Sequence, residues 1–246
     1  MYGSYRSMKI AAKGLTDVGQ RREANQDSFL VDEETLLFGV ADGMGGHRGG
    51  GVASKLAVEI IRSYIQAHKN GDPEEVIEKA LQEASKTIHQ QSMDKNELSG
   101  MGTTATFAWV RSNRIYIAHV GDSRAYLLRG NKIWQLTEDH SLVHEQVKAG
   151  VLPESAEKEH LYRNVLTRSI GFEPFVKVDI YQKELEPGDK FLICSDGLIT
   201  MLKDEEISKI VTKKSLGDAL KKLITMANDR GGEDNITTIL IDIEKD

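Results

Sequence analysis

Apolar positions along the chain keep two different rhythms. Ala53, Leu56, Ala57, Ile60, Ile61, Tyr64 and Ile65 recur at three- and four-residue spacing. They predict an amphipathic helix beginning near Gly51, directly after a glycine-rich stretch. Ile77, Leu81, Ala84 and Ile88 form a second stripe. There Asp72 suits the N-cap, Pro73 the first turn, and Glu75 completes a capping-box pattern. Downstream the rhythm changes. "TTATFAWV", "RIYIAHV", "RAYLLR" and "KIWQL" are rich in β-branched and aromatic residues and predict strands. Ser112-Asn113 and Gly130-Asn131 mark tight turns of antiparallel hairpins. "TLLFGVA", "KFLICSDG" and "NITTILIDI" read as further strands, and helical patterns fall near 204–211 and 216–229. Ser215 caps the second of these, and Gly231-Gly232 ends it. Helices, then hairpin strands, then helices predict an α+β fold with helices covering antiparallel sheets. A doubly wound parallel sheet would need regular strand–helix alternation, which this order lacks.

Composition narrows the class. The chain has 246 residues, 39% hydrophobic and 28% charged, enough for a substantial core. The four prolines are scattered and no linker composition divides the chain, so one domain over 8–246 is expected, with 1–7 as a flexible extension. A net charge of -6 argues against nucleic acid as a partner, which wants a basic face. Cys194 is the one cysteine, so no internal disulfide forms and a reducing, cytoplasmic setting is expected. No run of about 18 apolar residues predicts a membrane span.

Four carboxylates stand out. Asp27 opens a strand in "RREANQDSFLV"; Asp42 and Asp196 each follow an apolar run and precede glycine; Asp234 sits between Gly231-Gly232 and the last strand. If the sheets bring these strand ends together, the gathered charge needs compensation. An all-oxygen set favours magnesium or manganese. Asp-Gly is also an ordinary turn dipeptide, so the residues alone leave both readings open. Rival phosphate chemistries are easier to exclude. A P-loop needs a Gly-Lys-Ser/Thr ending, and no such lysine follows Asp42. A cysteine phosphatase wants arginine six residues past its thiolate, where this chain has Thr200. An aspartyl-phosphate enzyme wants Asp-x-Asp, and Cys194 stands two before Asp196. His140 and His144 have the spacing of zinc ligands on a helix, but Ser141 stands where a zincin carries glutamate; packing or surface roles are expected.

The stretches "RREANQDSF", "VADGMGGH", "MGTTA", "HVGDSRAY", "LTEDHSLV", "RNVLTRSIG", "ICSDGL" and "GGEDNIT" occur in this order. Together, from about Ala12 to Ile243, they closely resemble the bacterial metal-dependent protein phosphatases of the type 2C, or PPM, family. The resemblance implies a four-layer αββα sandwich, two antiparallel sheets flanked by helices. It implies hydrolysis of phosphoserine and phosphothreonine in proteins with two Mn²⁺ or Mg²⁺ ions that activate a shared water. By motif, Asp42 bridges both metals, the Gly43 carbonyl binds one, and Asp196 and Asp234 hold the other. Asp27 joins the site directly or through water. Arg22 grips the phosphate, with Arg21 a solvated neighbour. Asp122 matches a weaker third metal position shared with Asp196, and His47 is a candidate proton donor.

Two departures stand out: Gln26 where many relatives carry glutamate, and Thr200 where many carry an acid. The segment at about 145–171 resembles the family's flap and is a candidate for substrate choice. The resemblance further implies phosphorylated proteins and a cognate kinase as partners, and a monomer. A non-catalytic phosphoprotein sensor and a phosphatase of small phosphoesters are the competing readings. The first would be expected to lose metal aspartates, and Asp42, Asp196 and Asp234 are all present.

Overall fold

The computed structural model describes residues 8–153, 155 and 160–244, without the side chains of His47 and Arg48. The predicted extension at 1–7 and part of the predicted flap, residues 154 and 156–159, therefore lie outside the described residues.

Two antiparallel sheets form the centre. One runs β1 (Ile10–Asp17), β11 (Ile236–Ile243), β10 (Lys190–Cys194), β7 (Arg124–Arg129), β8 (Lys132–Gln135). The other runs β2 (Asp27–Asp32), β3 (Leu37–Met44), β5 (Ala105–Arg111), β6 (Arg114–Val120), β9 (Asp179–Glu184), with β4 (Gly102–Thr103) added to the end of β3. Helices α1 (Gly46–Ala67) and α2 (Pro73–Asp94) cover the second sheet; α5 (Asp204–Lys213) and α6 (Leu216–Asp229) cover the first. Short helices α3 (Leu142–Lys148) and α4 (Asp196–Ile199) lie in the connections. This is the expected αββα sandwich.

Period-two alternation sorts the strands onto three cores. In β3, Leu37 and Ala41 face α1 and α2, while Phe38 and Val40 face the opposite sheet. In β10, Leu192 and Cys194 face α5 and α6, while Phe191 and Ile193 face inward with Ile239 and Ile241 of β11. Continuing that parity carries Asp42, two residues past Val40, to the rim of the inter-sheet layer. The same parity carries Asp27, two before Phe29, and Thr237, two before Ile239, to the same rim.

The predicted hairpins form with the expected turns, Arg111 opposite Arg114 and Arg129 opposite Lys132. The Asp72 side chain accepts the Glu75 N–H at 3.1 Å, and that of Ser215 accepts the Asp218 N–H at 3.3 Å. Some expectations are corrected. Helix α1 starts at Gly46 rather than near Gly51, leaving only Gly45 after β3. The poor helix propensity of Gly49, Gly50 and Gly51 is overridden by packing: a Cβ on Gly50 would stand 2.6 Å from the Gly43 carbonyl oxygen, so the helix passes close to β3 there. The Glu75 carboxylate pairs with Lys79 instead of closing the capping box. Strand β10 stops at Cys194, and Asp196 opens α4 with Ser195 at its N-cap. Strands β1 and β9 and helix α3 had no sequence expectation.

Candidate active site

The ends of β2, β3 and β11, the start of α4 and the turn after β6 meet along one edge of the sandwich. They enclose a cleft of about 840 Å³ whose lining includes Arg22, Asp42, Gly43, Asp122, Asp196 and Asp234. A smaller cavity of about 300 Å³ adjoins it and shares Asp122, Asn164 and Asp196. Cross-strand register puts Asp27 directly opposite Asp42, so both carboxylates project from one face.

Asp27 also ties the sheets together. Its Oδ2 accepts the Ser195 hydroxyl at 2.8 Å and the Thr237 hydroxyl at 2.6 Å, both from the other sheet's side. Its Oδ1 is buried with no hydrogen-bond partner, as is Oδ1 of Asp196. Asp42 is held through its backbone: its N–H donates to Thr104 Oγ1 at 2.9 Å, and its carbonyl accepts the Thr104 N–H at 2.9 Å and the Thr103 hydroxyl at 2.8 Å.

The glycines after the two aspartates have a steric reason. A Cβ on Gly43 would stand 2.1 Å from the Gly50 carbonyl oxygen, where α1 crosses the end of β3. A Cβ on Gly197 would stand 2.1 Å from the Asn235 carbonyl oxygen, next to Asp234. Each Asp-Gly thus marks a close backbone approach that brings a carboxylate to the cleft.

The electrostatics follow from this crowding. Desolvation, then the charges of Asp27, Asp196, Asp122 and Asp234, holds Asp42 well above the usual carboxylate range. Asp196 is raised in the same way, by burial and then by Asp122, Asp234 and Asp27. Burial pushes Asp27 up to about 6 although its two hydroxyl donors pull the other way. Burial and Asp139 push Asp122 up to about 7. Among the described residues, no group of three or more acidic, histidine or cysteine side chains is already arranged as a metal-holding set. The carboxylates of Asp42, Asp122, Asp196 and Asp234 line one cleft without closing into a cage. Their chemistry fits a hard divalent cation nonetheless: oxygen donors only, negative charge in excess, and two buried oxygens lacking partners.

Arg22 lies on the rim, carried by the loop that crosses from β1 to β2. Its Nη2 is 2.5 Å from Asp234 Oδ2, and this contact raises its pKa further. Gln26 turns its amide away from a ligand's role, donating from Nε2 to the Gly46 carbonyl at 2.8 Å. Thr200 donates its hydroxyl to the Asp196 carbonyl at 3.0 Å. The backbone of His47 lies in the first turn of α1, and its side chain is outside the described residues. His140 precedes α3 and only His144 lies within it, so the pair does not share a helix face. Cys194 is buried and its thiol pKa is pushed up, as expected of an inert strand residue.

Sequence reasoning missed the supporting polar residues. Asn235 accepts the Gln26 N–H on Oδ1 at 2.8 Å and donates from Nδ2 to the carbonyls of Val18 and Ala24 at 2.9 and 3.1 Å. It thereby fixes the loop bearing Arg22. Thr104, Ser195 and Thr237 serve Asp42 and Asp27. The adjacency Asp234-Asn235 and the hydroxyls flanking each motif were the available signals.

The chain belongs to the protein phosphatase 2C family, whose pattern it matches over residues 19–240. It is 39% identical to the serine/threonine phosphatase stp of Listeria monocytogenes over 240 residues, 94% of this chain and 95% of that one. It is 40% identical to the protein phosphatase PhpP of Streptococcus pneumoniae, covering 94% of this chain and 97% of the relative. In structure it resembles the catalytic domain of the serine threonine protein phosphatase PstP, solved in complex with 2 manganese ions. That likeness has a TM-score of 0.88 and 30% identity, over 96% of this chain and 99% of the other.

Proposed function

We propose that this chain is a metal-dependent phosphatase of phosphoserine and phosphothreonine in proteins. The observation that carries the reading is the convergence of Asp42, Asp122, Asp196 and Asp234 on one cleft, with Asp27 directly opposite Asp42 behind it and Arg22 at the rim. Family membership and the names of the relatives support the substrate class.

In this reading Asp42, the Gly43 carbonyl, Asp196 and Asp234 would hold two Mn²⁺ or Mg²⁺ ions, Asp42 being shared between them. Bound divalent cations supply a water of lowered pKa and positive charge against the phosphoryl oxygens. Asp27 contributes through Oδ1, because Oδ2 is committed to Ser195 and Thr237. Arg22 orients the phosphoryl group: a planar guanidinium can keep Asp234 on one nitrogen and meet phosphate with another. Asp122, with Asp196, would hold a weaker third cation, and Thr200 adds no carboxylate there. His47 would be the candidate donor of a proton to the leaving alkoxide. The flap segment lies beside this chemistry, since Asn164 and Leu166 line the cleft, and it takes part in substrate choice.

The proposed partners are phosphorylated proteins and a kinase whose action the chain reverses, met in the cytoplasm by a monomer. Among the described residues, no helix is long and apolar enough to cross a membrane. The test is turnover of a phosphothreonine peptide with Mn²⁺ by the wild type and by Asp42→Ala. Mn²⁺-dependent turnover that Asp42→Ala abolishes is expected. No turnover by the wild type contradicts the enzyme reading, and near-wild-type turnover by Asp42→Ala contradicts the metal assignment. A free phosphoester cleaved while the peptide is spared contradicts the substrate class.

A further inference from the structure

His140 lies behind the cleft, and its ring stands beside that of His119 with centroids 4.7 Å apart. Both ring nitrogens are used. Nδ1 accepts the Gly121 N–H at 3.1 Å, while Nε2 stands 3.0 Å from Asp179 Oδ2. A nitrogen that accepts from a backbone N–H carries no proton, so the ring proton sits on Nε2 and is donated to Asp179. The His140 backbone N–H donates to the Gly121 carbonyl at 2.7 Å. One residue therefore grips Gly121 at both its N–H and its C=O, immediately before Asp122.

The residue after this doubly held peptide, Asp122, lines the cleft. The same histidine reaches the stem of the flap. Its carbonyl accepts the Thr167 N–H at 2.9 Å, and Arg168 Nη1 holds the other oxygen of Asp179 at 2.8 Å.

We propose that His140 is a positioning residue for the Asp122 cation site: by holding the Gly121 peptide it keeps the Asp122 carboxylate aimed into the cleft, while Asp179 of β9 fixes its ring and Arg168 of the flap stem holds Asp179. The proposal rests on the reading of Asp122 as a cation ligand in a phosphatase. Partners that orient a ligand from behind change metal affinity by about 10- to 100-fold when removed.

The test is calorimetric titration of Mn²⁺ into the full chain, with phosphothreonine-peptide turnover and thermal melts recorded alongside. Asp122→Asn identifies the site in question. His140→Asn places an amide oxygen where Nδ1 stood and keeps the acceptor for Gly121. His140→Gln reaches Asp179 but gives that acceptor up. The Asp122-dependent site is expected to weaken about tenfold or more in His140→Gln and to stay within about threefold in His140→Asn. The order is independent of any loss of melting temperature. Equal Mn²⁺ affinity in both variants, whether both kept or both lost, overturns the proposal. If His140→Gln does not fold, Asp179→Leu replaces it: removing the acceptor that fixes the tautomer weakens the same site, and unchanged affinity overturns the proposal. A wild type with no Asp122-dependent Mn²⁺ site overturns this proposal alone. A wild type that binds Mn²⁺ there but cleaves no phosphopeptide contradicts the phosphatase reading alone.

Discussion

Asp27→Asn should stabilise the metal-free protein, and the amount can be worked out. The Asp27 carboxyl is raised from 3.8 to about 6, chiefly by burial and further by Asp234, against the pull of the Thr237 and Ser195 hydroxyls. A group whose folded pKa is raised binds its proton more tightly when folded. Its contribution is complete below the unfolded value and is lost as pH climbs through the folded one. For this pair of pKa values the penalty relative to a neutral side chain is about 1.5 kcal/mol at pH 5 and about 3 kcal/mol at pH 8. An asparagine amide oxygen still accepts both hydroxyls, so the substitution removes the charge and keeps the cross-sheet tie. Thermal melts in chelator should place Asp27→Asn roughly 6–12 °C above wild type at pH 8 and about half that at pH 5. Saturating Mn²⁺ should reverse the order, because the variant forfeits ligand-linked stabilisation. No stabilisation at pH 8 in chelator, or a gap that does not grow with pH, would refute the reasoning.

Other outcomes follow from the same site. Mn²⁺ binding at pH 7 should release protons, since Asp27, Asp42, Asp122 and Asp196 are all raised. Titration heats should therefore depend on the buffer's ionisation enthalpy and affinity should rise from pH 6 to pH 8; buffer-independent heats would contradict this. Arg22→Lys should lower kcat/KM for a phosphothreonine peptide on the order of 100-fold with Mn²⁺ affinity little changed. A matching loss of Mn²⁺ binding would assign Arg22 to the architecture instead. Gly197→Ala forces a methyl to 2.1 Å from the Asn235 carbonyl oxygen and should cost about 1–3 kcal/mol in chelator; an unchanged melting temperature would show that the backbone can part there.

The fold and the site were legible to different depths. Helix α2 and the β5–β6 and β7–β8 hairpins announce themselves because period and turn chemistry agree. Strand β1 does not, because Lys13 and Gly14 break its alternation and no β-branched run remains. The start of α1 was misplaced because three consecutive glycines argue against a helix, whereas the close approach to Gly43 and Gln26 requires a glycine at Gly50 within the helix. The aspartates could be singled out as strand-end residues beside glycine, yet residue spacing favoured a turn for each and left a metal site only open. Only the ordered motifs tipped the balance. What joins Asp27 to Asp42 is cross-strand register, and what joins Asp27 to Ser195 and Thr237, and Gln26 to Asn235, is the stacking of two sheets. Neither is written in local sequence. The same holds for His140, whose four-residue spacing from His144 suggested a shared helix face, while its partners lie at Gly121 and Asp179.

The central claim is that the cleft holds two divalent cations through Asp42. Crystals grown with Mn²⁺ and measured at the manganese edge test it most directly. Two strong anomalous peaks are predicted, both within coordination distance of the Asp42 carboxylate, one also at the Gly43 carbonyl and the other at Asp196 and Asp234. An empty cleft at saturating Mn²⁺, or peaks that leave Asp42 untouched, would contradict the account.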